Sequence, residues 1–109
     1  MAERAQNVLH ARVNEAGAGT YVQVAATAEY RVRVLGLVLS TSAAQMVTLR
    51  DDTAALADIY LAQDAAAVLP IDDAGWVQTV GGEALSLTLA GAGAVVGVLV
   101  YQLVPSHWQ

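Results

Sequence analysis

Two histidines, four serines and two adjacent acidic pairs are the residues whose types could carry chemistry in this chain. A hydrolytic nucleophile needs a serine beside a histidine and a carboxylate. Ser40, Ser42, Ser86 and Ser106 show no nucleophile-elbow context, and His10 and His107 stand near opposite ends of the chain. Zinc would need an HxH or HExxH spacing, or cysteine ligands, and there is no cysteine. Asp51-Asp52 and Asp72-Asp73 offer clustered oxygens of the kind calcium prefers, but neither lies in a DxDxDG spacing. Aspartate is also at home in turns, where it bonds nearby backbone N–H groups, and that reading is preferred. Gly91-Ala-Gly-Ala-Val-Val-Gly97 is one residue too long for a dinucleotide loop and reads as a turn between strands. No enzyme, cofactor or metal is expected.

Two tryptophans remain. Trp76 follows Asp73-Ala-Gly75 and leaves a turn at the start of a strand. Its indole either caps the end of a β core or offers a platform to a partner or a sugar. Trp108 stands beside the last residue, where a partner or oligomer contact is expected rather than a place in the core.

The elements that position these residues are bounded by composition. The chain has 109 residues, room for one domain, and a chain of this size buries roughly 65% of its unfolded surface. Five arginines against ten acids, with no lysine, give a net charge of −5. Nucleic-acid binding, which needs a basic stripe, is excluded on that ground. Disorder is excluded by the 56% hydrophobic content. Without cysteine there is no disulfide framework. The first seven residues offer no apolar h-region, so no signal peptide is expected. Alanine, valine and leucine carry the apolar content and phenylalanine is absent, which points to apolar surface facing another chain.

Period 2 dominates the chain. Leu9, Ala11 and Val13 alternate with His10 and Arg12, and Tyr30, Val32 and Val34 alternate with Arg31 and Arg33. Both faces become apolar at Leu35-Gly36-Leu37, where the glycine marks a bulge or a close backbone approach. Residues 54–62 suit a short helix or an irregular strand. Turn signals recur roughly every 8–12 residues, the pattern of an all-β sandwich. Residues 84–104 carry no charge and match a membrane span in length. Leu85, Leu87 and Leu89 nevertheless alternate with Ser86 and Thr88, and Gly91-Ala-Gly93 interrupts the run. A hairpin is therefore expected there, and no membrane partner. The prediction is an antiparallel β-sandwich with Greek-key or jelly-roll connections and about eight strands. An N-terminal arm over residues 1–19, with a strand at Leu9, Ala11 and Val13, precedes a domain over residues 20–109; the alternative is that this strand joins the domain's own sheet as an edge. The predicted buried positions are Val32, Val34, Leu37, Val47, Leu85, Leu87, Leu89, Val98 and Val100.

Five segments, in order, resemble small tailed-bacteriophage virion proteins. They are Tyr30-Arg-Val-Arg-Val-Leu-Gly-Leu-Val-Leu-Ser-Thr-Ser-Ala-Ala44, Val47-Thr-Leu49, Asp73-Ala-Gly-Trp-Val-Gln-Thr79, Gly82-Glu-Ala-Leu-Ser-Leu-Thr-Leu89 and Val96-Gly-Val-Leu-Val-Tyr101. Arg50-Asp51-Asp52-Thr53 departs from the Lys and Ser-Gly turn of that pattern. The resemblance implies a head decoration (cement) protein, a head-fibre base or a tail accessory subunit. It further implies a homotrimer on the capsid exterior that partners the major capsid protein, after a stay in the host cytoplasm. Arg4 and Arg12 in the arm, with Trp76 and Trp108, are the expected partner contacts. A carbohydrate-binding adhesin-like module, using Trp76, Tyr60 or Tyr101, is the alternative from another class.

Overall fold

The β-branched, alternating segments all become strands in the computed structural model, which describes residues 8–106. The strands are β1 (Leu9–Ala16), β2 (Gly19–Val24), β3 (Tyr30–Thr41), β4 (Gln45–Arg50), β5 (Ala55–Leu61), β6 (Ala66–Leu69), β7 (Val77–Gln78), β8 (Leu85–Leu89) and β9 (Ala94–Pro105). One sheet has the order β1-β9-β3-β6, with the two-residue β7 also on β3, and the other has the order β2-β8-β4-β5. With β7 set aside, the pairs β1–β9, β2–β8, β3–β6 and β4–β5 nest inside one another. Such an antiparallel ribbon, rolled into two sheets, is a jelly roll. The expected sandwich is present, and residues 54–62 resolve as a strand.

The core lies between the sheets and is filled by leucine and valine. Val32, Val34, Leu37 and Leu39 of β3 meet Val47 and Leu49 of β4 and Leu85, Leu87 and Leu89 of β8. The extents of 48 × 25 × 18 Å leave no room for a third layer, so both outer faces lie bare. Gly36 sits at a register shift in the β3–β9 ladder. A Cβ there would come within 2.9 Å of the Leu69 carbonyl, so the glycine also admits the chain that runs beside β3 from β6 to β7. Bulge and close approach coincide.

Two sequence expectations change. Residues 85–104 form two strands but not a hairpin. β8 belongs to the four-stranded sheet and β9 to the five-stranded one, because the glycine turn carries the chain across the sandwich. Val98 is 42% exposed, since Val95 and Leu99 take the inward phase of β9 and leave Val96 and Val98 outside. Residues 9–16, which hold the strand expected at Leu9, Ala11 and Val13, pair along their whole length with β9 at the sheet edge, and Val13 enters the core. No helix among the described residues is long and apolar enough to cross a membrane.

Candidate functional site

The potential chemical groups serve as fastenings. Asp51 is buried at the end of β4, where its Oδ1 accepts from Thr53 N (2.9 Å), Thr53 Oγ1 (3.1 Å) and Ala54 N (2.8 Å). Its Oδ2 accepts from Val80 N at 3.2 Å, tying the β4–β5 turn to the segment after β7. Burial by itself would raise this carboxyl, but the N–H and hydroxyl donors outweigh it and lower the pKa to about 2. Asp52 accepts from Ala84 N at 3.3 Å, and Asp72 accepts from Ala74 N at 2.9 Å within its own turn. The glycine-rich turn is held by buried Gln45. Its Nε2 donates to Thr41 Oγ1 (3.1 Å) and the Gly93 carbonyl (3.1 Å), and its Oε1 accepts from Gly91 N (3.0 Å). Every buried side-chain polar atom among the described residues has a partner.

The surface that stands out is the outer face of the five-stranded sheet. Register places Arg12 beside Val98, Val98 beside Val38, and Val38 beside Val68, one row across four strands. A parallel row runs Asn14, Val96, Ser40, Ala66. Val38, Val68, Val96 and Val98 are between 42% and 58% exposed, and Ile71 is 66% exposed. A shallow hollow of about 190 Å³ lies among Val38, Val68, Pro70, Ile71 and Val98. The opposite face is polar by comparison. There Thr20, Thr88, Thr48 and Asp58 share a row, with hydroxyl bonds of 2.8 Å (Thr20–Thr88) and 2.7 Å (Thr48 to Asp58).

Of the expected contact residues, Arg12 is exposed on the edge strand of the apolar face. Trp76 is 45% exposed, with its indole N–H donating to the Pro70 carbonyl at 2.8 Å. Its own N–H donates to the Val34 carbonyl at 2.8 Å, and next to it Arg33 Nε approaches Gln78 Oε1 at 3.4 Å. Trp76 thus braces the segment that runs beside β3 from β6 to β7. Arg4, His107 and Trp108 lie outside the described residues. The valine face was missed in the sequence because Val96, Val98 and Val100 resemble core as much as Val95 and Leu99 do. The one local signal is Gly97, which pairs with Leu39 of β3 and where a Cβ would run into the Val38 carbonyl.

No protein-family model matches the chain, and no curated protein does. Two solved structures share the architecture. One belongs to Bacillus endospore appendages described as a family of disulfide-linked pili, at 10% identity and TM-score 0.53, covering 95% of this chain and 91% of that one. The other is the capsid asymmetric unit of cyanophage Pam1, at 19% identity and TM-score 0.51, covering 93% and 85%. At such identities the likeness is one of fold.

Proposed function

We propose that this protein is a non-enzymatic structural component of a tailed-phage virion, a decoration (cement) protein on the outside of the head. The observation that carries the reading is the bare valine face on a jelly roll whose Asp51, Asp52 and Asp72 are held as turn fastenings. It is supported by the shared fold with a chain of a phage capsid and by the segment resemblance described above. A decoration protein needs no reactive centre. It needs a rigid body with surface to bury against its neighbours. A subunit that binds only the assembled lattice stabilises that lattice by mass action, about 2.7 kcal/mol per site at a hundredfold excess over Kd. Copies summed over a shell oppose the outward pressure of packaged DNA. Residues 1–7, with Arg4, supply a further contact to carboxylates on the shell.

The test is co-sedimentation of the purified full chain with mature heads of the phage that encodes it. Saturable occupancy at micromolar protein, with heads that then survive a higher temperature, is expected. Absence of binding at any concentration overturns the reading. Half-exposed Trp76 beside Arg33 and Gln78 keeps one second reading in view, a carbohydrate-binding module. A saturable shift of tryptophan fluorescence with added glycans would favour it.

A further inference from the structure

We infer that the outer face of the five-stranded sheet is where a second copy of this chain packs, face to face about a two-fold axis parallel to the strands. Three observations combine. The first is area. The fractional exposures of the four valines and Ile71 amount to about 400 Å² of apolar surface, a patch of the size that marks interaction sites. It is about half of the ~800 Å² that each partner contributes to a stable pair, which suits an apolar centre with a polar surround. The surround is in place, as His10, Asn14 and Ser40 flank the valines on the same face.

The second observation is charge. In a chain of net charge −5, the central rows of this face carry no acid, and Arg12 stands at their β1 edge. Exposed Asp64 and Asp72 bracket β6 at the opposite edge. Asp72 N donates to the Leu35 carbonyl (3.0 Å) and Asp64 N to the Thr41 carbonyl (3.0 Å), so both acids are pinned beside β3. Across the valine rows the charge runs from Arg12 at one edge to Asp64 and Asp72 flanking the other, about 14 Å or three strand spacings away, while Arg31 and Arg33 lie further along β3. Two copies related by an axis along the strands lay each β1 edge over the partner's β6 edge, which sets Arg12 opposite Val68, between the partner's Asp64 and Asp72. An axis across the strands would set Arg12 against Arg12.

The third observation is the match of shapes. An axis along the strands keeps each row at its own level, so the row Val98, Val38, Val68 of one copy meets the same row of the other. The contact is isologous and closes as a pair, unlike the trimer that the segment resemblance implies. It does not depend on the capsid reading, since it forms without any shell.

The experiment is sedimentation velocity with light scattering on the full chain, without heads, from about 1 to 200 µM. The expected mass is twice the 11.3 kDa of one chain. Val98→Glu and, separately, Val68→Glu should raise the dimer Kd more than 100-fold, with unchanged far-UV circular dichroism. Arg12→Glu should raise it about tenfold, as befits one rim charge. Tyr60→Glu, on the opposite outer face, should leave it unchanged. A monomer throughout, a trimer, or loss of pairing with Tyr60→Glu overturns the inference. So does a wild-type monomer whose head binding is lost with Val98→Glu, since the face would then belong to the shell. Pairing without head binding would sustain this inference and sink the proposed function.

Discussion

Replacing Asp51 tests whether a carboxylate at the mouth of the β4–β5 turn holds two distant segments together. The group is 2% exposed and accepts from Thr53, Ala54 and Val80. Its folded pKa, lowered from 3.8 to about 2, is below the unfolded value, so the charged form stabilises the fold. That stability is fully present above the unfolded pKa of 3.8 and is lost as pH falls through about 2. The interval between the two values corresponds to about 2.5 kcal/mol. Asp51→Asn retains a carbonyl for Thr53 and Ala54 but turns an amide toward the Val80 N–H, donor against donor. At about pH 6 the variant should lose about 2 kcal/mol in urea unfolding, near 10 °C in Tm for a domain of this size. At about pH 2 the gap to wild type should close. A variant as stable as wild type at pH 6, or a gap of equal size at both pH values, would refute the assignment of stability to this charge.

Gly97→Ala forces a side chain against the Val38 carbonyl and should cost about 3 kcal/mol or prevent folding, read by thermal unfolding. Gln45→Ala removes three bonds that hold the glycine turn, so it should cost about 2 kcal/mol and speed amide exchange at Gly91. Deleting residues 1–7 should leave Tm unchanged, since β1 begins at Leu9, while lowering occupancy on heads in a sedimentation assay.

What could be read from the sequence was local. Strict alternation announced β3, and Gly36 announced its bulge, because both follow from a period of two and from the space a Cβ needs. Asp51 was legible as a turn residue for the same reason. Its bond to Val80 was not, since nothing local ties a β4 turn to a segment 29 residues away. The partner sheet of β9 was equally hidden, because a glycine turn serves a hairpin or a crossing alike. Composition said that some apolar surface must face outward without saying which strand carries it. The phase of β9 is set by the Val38 carbonyl across the ladder, a fact of pairing rather than of order along the chain.

β9 lies between β1 and β3 in the five-stranded sheet, with Leu9 opposite Tyr101 and Thr41 opposite Val95. Two strands made early in synthesis therefore wait for one made late: β1 has no other partner in its sheet, and β3 has only β6 and β7 on its far edge until β9 emerges from the ribosome. Closing loops of that length to complete the β1–β9–β3 ladders places the protein among the slow folders, in milliseconds to seconds rather than microseconds. During that interval the apolar edge of β3 is open, so crowded expression at high temperature should divert nascent chains into aggregates before the last strand arrives.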